Sequence, residues 1–183
     1  PGLKVVTPAT PFDAKGLLKT ALIDQNPIIF VEHSLLYGLR GEVPETSYTI
    51  PFGKADVKRA GSDVTIIGSL RMVHTSLEAA EVLAQEGIQA EVVDLRCLRP
   101  LDMDTVVESV GRTHRAVVVE EGWKTGGFGA EIVAEIMSRA FDDLDAPVER
   151  VSGKEVPMPY NRGLELAAIP NHIDVVDKVR SLF

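Results

Sequence analysis

Two periods of apolar residues take turns along most of the chain. Short continuous runs such as Asp63-Val64-Thr65-Ile66-Ile67-Gly68 alternate with stretches in which Met72, Val73, Leu77, Ala80, Leu83 and Ala84 recur at helical spacing. A short β-branched run marks a strand buried on both faces, and a 3.6-residue recurrence marks an amphipathic helix. From residue 60 onward the pattern predicts strands over Asp63–Gly68, Ala90–Leu95, Arg115–Glu120 and Val148–Val151. It predicts helices between Ser69 and Gly87 and over Leu101–Val110, Ala130–Phe141 and His172–Leu182. Gly87 is a natural helix stop, and Asp102 and Asp104 put acids where a helix N-terminus favours them. Strands alternating with helices mean βαβ units, hence an α/β domain with a mostly parallel sheet flanked by helices.

The first sixty residues carry only one such unit: strand Lys4–Val6, helix Phe12–Ile23 and strand Ile28–Glu32. Thr10 before Pro11 is a good helix cap, and Asn26-Pro27 ends the helix. A single βαβ unit cannot bury its own faces. We therefore expect residues 1–50 to be the last piece of a domain that begins before Pro1, running into a connector. That connector, His33 to Gly61, is punctuated by Gly38, Gly41, Pro44, Pro51 and Gly53, with a short strand at Ala55–Lys58.

Composition narrows the function classes. The chain is 45% hydrophobic and 25% charged, as globular proteins are, and its net charge of −8 comes without any basic run, which argues against a nucleic-acid partner. The longest apolar runs, Ile28–Val31 and Val117–Val119, fall far short of the roughly 18 residues a membrane helix needs. The one cysteine, Cys97, lies in a strand-like stretch and reads as a small buried hydrophobe.

Candidate chemistry is sparse. Gly126-Gly127-Phe128-Gly129 follows a strand and opens a helix, as phosphate-cradling turns do, but GxGxxG and GKS/GKT are absent and Glu120, Glu121 and Glu131 surround it. These glycines read as a tight turn that lets a helix pack closely on the sheet. Glu120 and Glu121, adjacent on one strand, point to opposite faces and make no acid–base dyad; they read as a charged rim. His33, His74, His114 and His172 show no metal-ligand spacing, and His33, at the carboxyl end of a strand, is the one placed to face a cleft. At Ala21-Leu22-Ile23-Asp24-Gln25-Asn26 a helix ends, leaving carbonyls without helical partners beside the oxygens of Asp24 and Asn26. That set could cradle a hard monovalent cation; it equally describes an ordinary capped helix end.

Four stretches, read together, bring a resemblance: residues 1–38, the connector ending IPFGKADVKRAGSDVTII (50–67), EVVDLRCLRPLDMDTVVESVGRTHRAVVVEEGWKTGGFGAEI (91–132) and DAPVERVSGKEVPMPYNRGLELAAIP (145–170). In order and over essentially the whole chain, they resemble the beta subunits of thiamine-diphosphate-dependent 2-oxo acid dehydrogenases. VPMPYNRGLELAAIP is similar to the pyruvate branch of that family. The resemblance implies a transketolase C-terminal-like domain over residues 51–183. Residues 1–50 would be the C-terminal remnant of the pyrimidine-binding domain and the start of the connector.

The resemblance also implies a holoenzyme that decarboxylates pyruvate on thiamine diphosphate and reductively acetylates lipoyl groups. The family's activating glutamate and acyl-transfer histidine would lie before Pro1, and its alpha subunit would hold Mg²⁺ and the diphosphate. No catalytic or cofactor-binding residue is then expected here, and this part alone should be inactive. A potassium ion is implied at Ala21, Leu22, Asp24 and Asn26. Implied partners are the alpha subunit, a second beta subunit in an α2β2 heterotetramer, and the subunit-binding domain of a dihydrolipoyl acyltransferase, with Phe183 near that contact. The implied location is the bacterial cytoplasm or an organelle interior, not a secreted one. A branched-chain 2-oxo acid or acetoin dehydrogenase, a transketolase-like synthase and a free-standing flavodoxin-like binding module are the alternatives.

Overall fold

The structure, a computed structural model, describes residues 2–183; Pro1, where the expected N-terminal unit starts, lies outside the described residues. In chain order the elements are β1 (Lys4–Val6), α1 (Pro11–Ile23), β2 (Ile28–Phe30), β3 (Asp56–Arg59), β4 (Val64–Gly68), α2 (Arg71–Gln85), β5 (Ala90–Asp94) and β6 (Cys97–Arg99). Then follow α3 (Met103–Thr113), β7 (Ala116–Trp123), α4 (Gly129–Ala140), β8 (Glu149–Gly153), α5 (Arg162–Ala168) and α6 (His172–Arg180).

Five strands form the main sheet in the order β3-β5-β4-β7-β8. β4, β5, β7 and β8 run parallel, and β3 closes one edge antiparallel to β5. The uniform apolar runs sort by alternation, because successive strand side chains point to opposite faces. Ile66, Val92, Val117 and Val119 meet Met72, Val73 and Leu83 of α2 and Val175, Val176 and Val179 of α6 on one face. Ile67, Val93, Ala116 and Val118 meet Val106 and Val110 of α3 and Ile132 and Ile136 of α4 on the other. The result is three layers with the helices outside, as the alternating pattern predicts.

Local chemistry sets the helix ends. Thr10 Oγ1 accepts the Asp13 N–H at 3.1 Å with Pro11 opening α1, Asp102 accepts from Thr105 N–H at 3.3 Å to start α3, and Asn171 with Asp174 forms a reciprocal capping box on α6. Gly87 takes φ +86° just past α2. His114 adopts φ 59° to close α3, and its ring hydrogen-bonds the Asp143 carbonyl at 2.7 Å, so its role is that of a cap.

Two elements have no counterpart in the pattern read from sequence. β6 pairs antiparallel with β1, giving a second sheet of order β2-β1-β6, so the N-terminal βαβ unit is completed by a strand from later in the chain. Val6, Leu17, Ile50 and Cys97 form its small core, with Tyr48 and Phe52 of the connector packed against it. The other is α5, where Leu164 and Leu166 face outward and Ala168 alone is buried, leaving no apolar stripe to read.

Candidate functional site

α1 ends where Asp24 turns the chain out of the helix, its N–H still reaching the Thr20 carbonyl at 3.1 Å. Among the described residues no backbone N–H donates to the carbonyls of Ala21 or Leu22, so both are free as cation ligands. The Asp24 carboxylate is occupied from two sides. It accepts the backbone and side-chain N–H groups of Asn26, each at 2.8 Å, and it ion-pairs with Lys4 on β1. The Lys4 hydrogen bond, seconded by Asn26, holds the Asp24 carboxyl down at about 2. The structure therefore gathers Ala21, Leu22, Asp24 and Asn26 at one helix end with a resident ammonium beside them. Carbonyls are the ligands a potassium ion takes; the carboxylate arrives already paired.

The carboxyl edge of the main sheet brings in the glutamates. Glu121 meets His33 Nε2 at 2.9 Å, while His33 Nδ1 accepts the Leu35 N–H at 3.2 Å, which assigns the ring proton to Nε2. His33 thus lines a cleft of about 180 Å³ with Pro8, Thr10, Glu32 and Tyr37, with both ring nitrogens engaged. Glu120 points the other way, as its position on the strand predicts, but it is no rim residue. It is drawn inward by Arg150, accepts the Ser152 hydroxyl at 2.9 Å, and takes the Gly129 N–H at 2.9 Å at the start of α4. A helix N-terminus favours an anion, and here that anion is Glu120. A Cβ on Gly127 or Gly129 would stand 2.5 or 2.7 Å from this carboxylate. The glycine turn is filled by the protein's own carboxylate and does not fit a diphosphate.

A buried charge cluster went unread in the sequence. Asp13 of α1, fully buried, is ion-paired with Lys58 and Arg96 at 2.6 Å each. Asp56 pairs with the same two cations at 2.7 and 2.9 Å. Asp94, at the end of β5 and fully buried, accepts the Arg96 N–H at 2.9 Å through Oδ1; its Oδ2 has no hydrogen-bond partner and lies 3.7 Å from Lys58 Nζ. Burial opposes ionisation of Asp13, but hydrogen bonds from Lys58 and Thr10 win and hold it below the ordinary range. At Asp94 burial wins, lifting it from 3.8 to about 7. One signal could have revealed the cluster: Asp94 follows Val92-Val93 directly at the end of a buried strand, and a carboxylate there needs a partner.

The remaining candidates have structural places. Cys97 is buried in the small core and its thiol is raised by that burial. His74 Nε2 hydrogen-bonds the Ala9 carbonyl at 2.7 Å, and His172 lies 3.5 Å from Glu78. Phe183 is pinned: the Arg115 guanidinium sits 4.5 Å over its ring while Arg115 Nε donates to the Leu182 carbonyl at 3.1 Å. No helix among the described residues is long and apolar enough to cross a membrane.

The five-stranded sheet with β3 antiparallel at its edge, faced by helix pairs, is the fold of a recognised family. The transketolase C-terminal domain description matches residues 53–175, and the chain belongs to that family. Its sequence is 51% identical over 183 residues to the pyruvate dehydrogenase E1 component subunit beta of Bacillus subtilis and 50% identical over 182 to that of Rickettsia felis, covering all of this chain and 56% of each relative. The mitochondrial counterpart of Dictyostelium discoideum is 49% identical over 184 residues, covering 98% of this chain and 52% of its own length. The chain thus spans about half the length of the curated relatives it matches. A solved structure titled as a split-gene transketolase, inactive beta4 tetramer, superposes with TM-score 0.80 at 28% identity over all of this chain and 57% of that one.

Proposed function

We propose that this chain is the C-terminal part of a pyruvate dehydrogenase E1 beta subunit, residues 1–50 being the remnant of the pyrimidine-binding domain and residues 51–183 the transketolase C-terminal-like domain. The end-to-end identity of about half with beta subunits carries this reading. The bare N-terminal unit supports it: Leu3, Leu18, Leu22, Ile23 and Ile29 are exposed there, and β2 leaves one edge unpaired, as a sheet built to continue would. In this reading the enzyme works in the bacterial cytoplasm or an organelle interior, as an α2β2 assembly of alpha and beta subunits.

Thiamine diphosphate, with Mg²⁺, supplies the electron sink on which pyruvate loses carbon dioxide and the acetyl unit passes to a lipoyl group. The glycine turn before α4 is closed by Glu120 and offers no cradle to the cofactor's diphosphate. The chain's own work is assembly. The carbonyls of Ala21 and Leu22, with Asp24 and Asn26, hold a potassium ion that stiffens the end of α1. The surface around Phe183, whose ring Arg115 holds in place, offers a dock for the basic subunit-binding domain of a dihydrolipoyl acyltransferase. A net charge of −8 steers such a partner in.

Titration calorimetry against that binding domain, with light scattering on the same sample, tests the reading. One binding domain per dimer of this chain is the expected result. A confirmed dimer that binds nothing would move the assignment to a sister 2-oxo acid dehydrogenase or a free-standing module. Pyruvate decarboxylation by the 183 residues with thiamine diphosphate and Mg²⁺ but no alpha subunit would overturn the assembly role.

A further inference from the structure

The buried cluster at the junction of the two sheets has an uneven count of charges. Two cations, Lys58 and Arg96, face three carboxylates, Asp13, Asp56 and Asp94. Asp56 keeps 37% of its side chain in water, so the shortage of partners falls on the fully buried carboxylates, and the usual relief for a buried carboxylate short of partners is a proton. Asp13 and Asp56 each touch both cations below 3 Å, whereas Asp94 Oδ2 has no hydrogen-bond partner at all. The proton therefore belongs to Asp94.

The placement gives that proton a mechanical meaning. Asp13 stands on α1, in the N-terminal unit, while Asp56, Lys58 and Asp94 stand on the main sheet and Arg96 at the corner leading into β6. The cluster is the charged bond between the two units. Beside it, Thr7 N–H donates to the Arg96 carbonyl at 2.7 Å, and Asp94 takes the Arg96 N–H on the other side of the same residue.

We propose that Asp94 is a proton-operated latch: with its carboxyl protonated the N-terminal unit is clasped to the main sheet through Asp13, and with it ionised the surplus negative charge repels Asp13 and loosens the clasp. The sign follows from linkage. Asp94 is raised when the junction is closed and ordinary when it is open. Closure therefore binds a proton, and its stability declines as pH rises from the ordinary carboxylate range to about 7, then levels off. Asp13 is lowered, so its contribution is lost only below the ordinary carboxylate range. The other titratable groups that feel the cluster, Tyr48 through Asp13 and Cys97 through Asp94, are both raised and stay neutral in this window. His74 and His33 bridge nearby points of the same junction and are the rivals to eliminate.

Amide hydrogen exchange by NMR on the intact chain decides it. The protection factor of the Thr7 amide, corrected for intrinsic exchange, is expected to fall at least about tenfold from about pH 5.5 to 8. In Asp94→Asn, which copies the shape of the protonated acid, protection should hold nearly constant, while His33→Gln and His74→Gln should keep the wild-type slope. The Asp94 carboxyl carbon should itself titrate near 7. A wild type without slope, an Asp94→Asn that keeps it, a histidine variant that loses it, or an Asp94 carboxyl titrating in the ordinary range would each overturn the latch.

Discussion

The two sheets of this chain are built on different principles. The five-stranded sheet is covered on both faces: Ile66, Ile67, Val92, Val93 and Val117 are shut away by α2 and α6 on one side and α3 and α4 on the other. The three-stranded sheet has one helix, a core of four buried residues and an open edge. At its outer end Leu22 and Ile23 are 77% and 73% exposed. What the first sheet gains from apolar burial, the second takes from a borrowed strand and from ion pairs to its neighbour. Apolar contact is insensitive to pH and forgiving of small shifts, whereas buried ion pairs fail when one partner goes. The two regions should therefore break in different ways.

The largest break is expected in the main sheet. Leu83 is fully buried against β4 and α6, and Leu83→Ala should cost about 3 kcal/mol, read as a lowered denaturant midpoint with every amide of the main sheet losing protection together. A similar loss with a different footprint is expected from Asp13→Ala. It strips the shared partner from Lys58 and Arg96, and removing one side of a buried pair costs about 3 kcal/mol. Exchange should quicken in β1 and β2 while β4 and β5 keep their protection. Equal quickening in both sheets would mean that the junction is not a separate seam.

Gly127→Ala sharpens the comparison at the opposite edge of the main sheet. The new Cβ would press first on the Trp123 carbonyl oxygen and then on the Glu120 carboxylate that starts α4, at 2.5 Å, so we expect about 1–3 kcal/mol of destabilisation, with Ala substitution at the open Gly122 as the harmless control. An unaffected midpoint would show that the turn gives way and that Glu120 is not fixed by it.

The difference between the sheets also explains what could be read in advance. Main-sheet strands such as Val64–Gly68 and Ala90–Asp94 announce themselves because burial on both faces leaves short β-branched runs, Ile66-Ile67 and Val92-Val93, at their centres. Cys97–Arg99 does not, because a three-residue strand that follows a positive-φ Arg96 carries no period of its own; its strand character comes from β1 lying alongside. The helix end at Ala21–Asn26 was legible from the Asn-Pro stop. That Lys4 would lie against Asp24 was not, because twenty residues separate them and only the register of β1 on β2 brings them together. The buried cluster escaped for the same reason: its five charges come from three stretches, Asp13, Asp56–Lys58 and Asp94–Arg96, that only the tertiary fold brings together.

The smallest expected effect lies at that helix end, and it bears on the cation site. Lys4→Gln removes the first cause of the depressed Asp24 carboxyl but leaves the two Asn26 donors, so the Asp24 midpoint should rise from about 2 part of the way to its ordinary 3.8. Because that carboxyl is depressed in the folded state, what it adds to stability is present above the ordinary carboxylate range and is lost as pH falls through about 2. The pair is only half-buried and open to water on one side, so the denaturant midpoint at neutral pH should move little. The carboxyl carbon shift of Asp24 follows the titration directly. If it stays near 2 in Lys4→Gln, the Asn26 turn holds the carboxylate unaided. The same variant weighs the resident ammonium against potassium: with Lys4 gone, potassium chloride should shift the Asn26 amide resonance more than in the wild type, sodium chloride serving as the ionic-strength control. Equal shifts in the two proteins would mean that the ammonium and the ion do not compete, and that the carbonyls of Ala21 and Leu22, not the Asp24 carboxylate, define the cradle.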